Sequence, residues 1–126
     1  MISKIFNFLE EQNMAKYECH LVGDFDEILK QIESGILNGS ISASLEDRSD
    51  YNCDGVRCAV RVFERYSMLG GNRLSMNVTL IGKGENLFLS AITSGGSKAM
   101  FFKINTLGEG VFLDQIRQIA LGFQKA

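Results

Sequence analysis

Between Ser40 and Thr93 the chain repeats one pattern four times: alternating apolar and polar residues, then a short segment rich in glycine, asparagine or aspartate. Alternation is the period of a strand with one buried face, and turn-forming residues between such runs fold them into hairpins. The predicted inward sets are Ile41, Ala43 and Leu45; then Val56, Cys58, Val60 and Val62; then Leu74, Met76, Val78 and Leu80; then Leu87, Leu89 and Ala91. A one-residue slip would turn a whole set outward, so the parity of each set restricts the hairpin register. The first pair requires an even-length turn somewhere in Arg48 to Gly55, with Leu45 opposite Cys58 in the simplest register. The second favours a three-residue Gly70-Gly71-Asn72 loop with a bulge, and the third a two-residue Lys83-Gly84 turn that brings Leu80 to Leu87.

The flanks add helices and a strand. Ala15, Tyr17, Cys19 and Leu21 alternate with Lys16, Glu18 and His20, which predicts a first strand. Asp24 stands as an N-cap with Glu27 three residues on, and Phe25, Ile28, Leu29, Ile32 and Ile36 follow on one helical face as far as Asn38-Gly39. The segment Ala99 to Asn105 reads as a fifth meander strand, and about Glu109 to Gln124 as a closing helix with Phe112, Ile116, Ile119, Ala120 and Phe123 on its apolar stripe. Ile2, Ile5, Phe6 and Leu9 give residues 1–13 the pattern of a short amphipathic extension, too short to hold a helix alone. The expected fold is a single α+β domain: an antiparallel meander sheet of five to six strands with both helices on one face, in the order (α)-β-α-β-β-β-β-β-α. A shortened helix-grip arrangement, with a cavity between sheet and last helix, is the alternative.

Composition narrows the functional classes. With 126 residues, 45% hydrophobic and 22% charged, the chain can bury a core without disulfide or metal staples. Its three cysteines are an odd count, and reduced thiols are expected. No apolar run reaches the length of a membrane span, and Glu10 and Glu11 fall where a signal peptide would keep its apolar stretch, so a cytoplasmic protein without membrane contact is expected. A net charge of −2 offers no general source of the counterion release that drives nucleic-acid binding, which disfavours that partner.

Few residues point to chemistry. The segment Ser94-Gly95-Gly96-Ser97-Lys98 is the best local candidate for binding, because glycine lets backbone N–H groups approach an anion and Lys98 adds charge. It lacks phosphate-loop spacing, and a plain inter-strand loop explains its glycines equally. Arg57, Arg61 and Arg65 share one face of a long strand at about 13 Å spacing, a conceivable stripe for an acidic partner or simply a solvated face with cross-strand pairs. Asp47, Asp50 and Asp54 read as turn residues. Cys19, His20, Cys53 and Cys58 lack zinc spacing, so no metal, cofactor or catalytic residue is expected. The rival is a small hydrolase-like enzyme using His20, the sole histidine, or Cys53 with a nearby acid.

Gly39-Ser-Ile-Ser, Gly55-Val-Arg with Val62-Phe-Glu-Arg-Tyr66, Ser94-Gly-Gly followed by Phe101-Phe-Lys103, and Phe112-Leu-Asp together resemble a small bacterial family, domain of unknown function 6054. The resemblance spans about residues 15 to 123. It implies a bacterial intracellular protein and carries no catalytic residue over. The expected function is therefore non-enzymatic binding of a protein or small ligand by the sheet face, the Ser94 to Lys98 loop, or a cavity bounded by Leu74, Met76, Leu89, Phe112, Ile116 and Phe123. The Met1 to Leu9 stripe would favour a homodimer or heteromeric contact if left unburied.

Overall fold

The computed structural model describes residues 14–40, 42–66, 73–95 and 109–124. Five strands form one antiparallel sheet: β1 (Met14–Val22), β2 (Ser44–Cys53), β3 (Val56–Tyr66), β4 (Arg73–Lys83) and β5 (Asn86–Gly95). Their spatial order is β1-β5-β4-β3-β2, so β2 to β5 are the expected meander and β1 closes it by pairing with β5. The helices α1 (Phe25–Asn38) and α2 (Glu109–Leu121) pack together on one face, with α2 over β1 and β5. The helical extension at 1–13, the fifth meander strand at 99–105 and the loop residues Gly96, Ser97 and Lys98 lie outside the described residues.

Local chemistry explains the joints. Asp24 caps α1 as its sequence promised: its side chain accepts a hydrogen bond from the Glu27 N–H at 2.9 Å. Gly39 ends the helix at φ −81, a right-handed conformation, so handedness is not what requires glycine there. Space is: a Cβ would overlap the Gln115 amide of α2, whose Nε2 donates to the Gly39 carbonyl at 2.8 Å. The β2–β3 hairpin turns on Asp54 and Gly55, both with positive φ, within the segment expected to hold an even-length turn. The next turn is Gly84-Glu85 rather than Lys83-Gly84, because a tight turn of this hand wants its glycine at the first central position. Leu80 therefore faces Leu89, not Leu87.

The main correction concerns β3. Ala59, Arg61 and Phe63 are buried under the helices, and the expected inward set Val56, Cys58, Val60 and Val62 lies on the opposite, open face, only partly buried. Phe63 pairs with Met76, and Tyr66 with Arg73, so the β3–β4 connection spans residues 67–72 instead of a three-residue loop. A bulge between Leu45 and Asp47 then lets Leu45 face Phe63 while Tyr51, not Leu45, stands opposite Cys58. The inward sets of β4 and β5 hold: Leu74, Met76, Val78 and Leu80 alternate inward on β4, and Leu87, Leu89 and Ala91 on β5. Leu74 aside, these β4 and β5 residues meet Ile28, Ile32 and Ile36 of α1 and Leu113, Ile116 and Ala120 of α2 in one core. Of the first set, Leu45 packs partly buried against the core, Ala43 precedes β2, and Ile41 lies outside the described residues. Among the described residues, no helix is long and apolar enough to cross a membrane.

Candidate functional site

Arginine burial on β3 follows from what α1 presents to it. Asp26 and Glu33 are seven residues apart, about 10.5 Å along a helix, and Arg57 and Arg61 are four apart, about 13 Å along a strand. The two spacings match well enough for both ion pairs to close. Arg57 reaches Asp26 at 2.7 Å and lies 4.2 Å from the centre of the Phe25 ring. Arg61 meets Glu33 at 2.6 Å and Asp50 of β2 at 3.0 Å, and it also donates to the Val60 carbonyl at 2.9 Å. Burial opposes the charge of Arg61, but the hydrogen bonds to Glu33 and Asp50 outweigh it and hold its pKa above the ordinary arginine value. Asp50 is thus a strand residue and an ion-pair partner, not a turn residue.

The stripe expected to be available to an acidic partner is therefore engaged by the chain's own carboxylates. Only 5% of Arg61 is accessible, too little to offer its guanidinium to another molecule. Arg65 is partly buried on the same face, where desolvation lowers its pKa. Ser94 and Gly95 are the last residues of β5. Ser94 stands between Met14 and Ser75, and Gly95 opposite Leu74 at φ +120, where a Cβ would also press on the Arg73 carbonyl.

Among the described residues, four of the six expected to bound a cavity between sheet and terminal helix are closely packed; the Phe112 side chain lies outside the described residues, and Phe123 is partly buried. Leu74, Met76, Leu89 and Ile116 have no accessible surface, so none of them touches a space large enough for a water molecule. The topology keeps the two residues of the catalytic rival, His20 or Cys53 with a nearby acid, too far apart to act together. His20 is on β1 and Cys53 on β2, the two edges of the sheet, about 19 Å apart by strand spacing. Among the described residues His20 makes no hydrogen bond or ion pair, and its ring lies 5.3 Å from that of Phe88. Cys53 is exposed, with its Sγ 3.7 Å from Asp54 Oδ2.

What sequence reasoning missed is on the open face. The ladder sets His20, Phe88, Ile81, Cys58 and Tyr51 side by side across all five strands. At the β4–β5 turn end of this row is a groove of about 550 Å³, lined on the open face by His20, Val22, Val56, Ile81, Lys83 and Phe88. Ile81 is 39% and Val22 37% exposed in it, so its apolar lining is open to solvent. Among the described residues Lys83, like Lys30 and Arg48, has no ion-pair partner, whereas carboxylates close the cations at Lys16, Arg57, Arg61, Arg73 and Arg117; of the three, Lys83 is the one at the groove. The alternation of hydrophobic residues on β3 was the available signal: valines too numerous for one buried face, opposite a face already holding Ala59 and Phe63.

These features define a small α+β domain with one helix-covered face closed by apolar packing and arginine–carboxylate pairs, and one open face bearing an apolar groove. The chain belongs to DUF6054, a family of unknown function whose model matches residues 14–123. Among solved structures it is similar to PA94, a protein of unknown function from Pseudomonas aeruginosa, at 15% identity and TM-score 0.47 over 76% of this chain and 82% of that one. It is also similar to XoxI from Bacillus cereus, at 11% identity and TM-score 0.40 over 87% of this chain and 94% of that one. Comparison with curated proteins finds no match.

Proposed function

We propose that this protein is a non-enzymatic binding domain of the cytoplasm, and that its ligand is a small amphipathic anion held in the open-face groove. The carrying observation is the pairing of an apolar floor with a cation that no carboxylate of the described chain neutralises. Phe88, Ile81 and Val56 offer the floor, and Lys83 at the rim offers the charge. Such sites bind by apolar burial and use one or two polar groups to orient the ligand. Three free cysteines suit a reducing compartment.

The test is a titration of the protein with 1-anilinonaphthalene-8-sulfonate, an aromatic anion, followed by amide chemical shifts. Saturable shifts confined to His20, Val56, Ile81, Lys83 and Phe88 are expected, and Lys83→Gln should weaken binding about tenfold, as loss of a charge-assisted contact does. Shifts centred elsewhere, or affinity indifferent to Lys83→Gln, would overturn the reading.

A further inference from the structure

The β1 edge carries a second interaction surface, independent of the groove. Its outward backbone groups can be assigned from one contact: the Val22 N–H donates to the Phe123 carbonyl at 2.9 Å, on the side of β1 away from β5. In an antiparallel ladder successive residues alternate between neighbours, so the N–H and C=O groups of Lys16 and Glu18 and the N–H of His20 also point outward. The backbone after α2 pairs with this edge from Leu21, which bridges Gln124, while the Gln124 Nε2 donates to the Tyr17 hydroxyl at 2.9 Å on the helical side and leaves the outward backbone groups of Lys16 and Glu18 uncovered. Among the described residues the stretch Met14 to His20 has no strand on that side.

The other edge is the more heavily defended of the two. β2 carries Glu46, Asp47, Arg48 and Asp50 and a bulge, the devices by which sheets avoid edge pairing. β1 pairs without a register shift from Met14 to Val22.

We propose that a second copy of this chain pairs with this edge, antiparallel, about a two-fold axis through Tyr17. The free stretch Met14 to His20 is centred on Tyr17, and a two-fold there sets Lys16 opposite Glu18 of the second copy, and Glu18 opposite its Lys16. Both residues have outward backbone groups, so each crossing is a hydrogen-bonded pair with opposite charges, the favourable combination. The neighbouring registers of the same parity place Lys16 against Lys16 or Glu18 against Glu18, which like-charge repulsion disfavours. Lys16 and Glu18 are 59% and 39% exposed, and Glu18 Oε1, 3.6 Å from Lys16, can meet the second copy's Lys16 while its Oε2 keeps the hydrogen bond from the Ser90 hydroxyl at 2.9 Å. On the helical side Arg117 lies 5.2 Å from the Tyr17 ring and is itself paired with Asp114 at 3.7 Å, so no unopposed charge meets its symmetry mate near the axis. The result is a continuous ten-stranded sheet from two five-stranded ones.

Sedimentation of the full chain from about 1 μM to about 500 μM tests this, since a short edge contact is a weak interface. A monomer–dimer equilibrium is expected. Lys16→Glu and Glu18→Lys should each raise the dissociation constant at least about tenfold, because each puts two like-charge pairs across the axis. Mixing the two variants should restore a dimer, since every crossing pair is then opposite in charge, and the double variant Lys16→Glu/Glu18→Lys should dimerise alone. Restoration on mixing also excludes misfolding as the cause of loss. A wild-type chain monomeric throughout, a dimer indifferent to either single change, or two monomeric variants that fail to associate when mixed would each overturn the proposal.

Discussion

The helix-covered face of the sheet is closed in two different ways. Over β4 and β5 the interior is dry: Leu74, Met76, Val78 and Leu80 meet Leu87, Leu89 and Ala91 with almost no accessible surface. Over β3 and β2 it is closed by Arg57 and Arg61 reaching carboxylates on α1 and β2, with Phe63 the one large apolar side chain of β3 beneath the helices. Apolar packing is non-directional and fixes how close α1 lies to the sheet, whereas ion pairs at fixed spacing also fix where along β3 it lies. The dry half thus carries the stability and the ionic half the alignment.

That division predicts unequal losses. In the dry half Leu80→Ala removes a fully buried side chain and should cost about 4 kcal/mol, read as a lower urea midpoint with unchanged slope. A loss no larger than that of Arg61→Met would erase the distinction between the halves. In the ionic half the cost depends on which partner goes. Glu33→Ala leaves the 6%-exposed Arg61 side chain with Asp50, itself 57% exposed, as its remaining carboxylate, and should cost about 2 to 3 kcal/mol. Arg61→Met removes the buried charge itself and should cost less than about 1 kcal/mol, because an apolar side chain of similar volume needs no partner. Hydrogen exchange in α1 should nevertheless quicken in Arg61→Met if the arginine aligns the helix.

The same contrast explains what the sequence made legible. α1 was readable to its cap because Asp24, Glu27 and a helical apolar stripe agree, and β1, β4 and β5 because one face of each is almost wholly apolar while the other mixes polar residues with a few apolar ones such as Val22, Ile81 and Phe88. On β3 both faces carry hydrophobic residues, and alternation alone chose Val56, Cys58, Val60 and Val62 over Ala59 and Phe63. The arginines made the second face read as solvated, although Asp26 and Glu33 on α1 already stood at a complementary spacing. Register errors followed from turns, where the position of one glycine moved the pairing of β4 with β5 by two residues. The open-face groove could not be read at all, since its lining comes from β1, β3, β4 and β5 and exists only in the observed register.

The seam between the two helices offers a smaller test. At Gly35 an added Cβ would overlap Ile119 Cδ1 of α2. Alanine gains about 1 kcal/mol in helix propensity, yet overpacking costs about 1 to 3 kcal/mol, so Gly35→Ala should destabilise by about 1 kcal/mol. Ile119→Val removes the obstructing methyl, and in the double variant the alanine should become stabilising. A Gly35→Ala gain in the otherwise wild-type chain would mean that the helices yield here and that the dry core does not set their separation.

The smallest effect belongs to the outermost contact, Arg57 with Asp26. The hydrogen bond from Arg57 holds the Asp26 carboxyl below its ordinary pKa, with burial opposing weakly and the arginine charge adding to the shift. A depressed folded pKa gives stability that is present above the unfolded value of 3.8 and is lost as pH falls through the folded one. Asp26→Asn should therefore lower the urea midpoint slightly at neutral pH, less in high salt, and the two proteins should converge once the pH falls below the depressed folded pKa. The carboxylate is fully exposed, so the difference should be near the limit of measurement and far below that of Glu33→Ala. If Asp26→Asn instead cost as much as Glu33→Ala, alignment of α1 would rest on its first turn, with the buried Arg61 pair following rather than setting it.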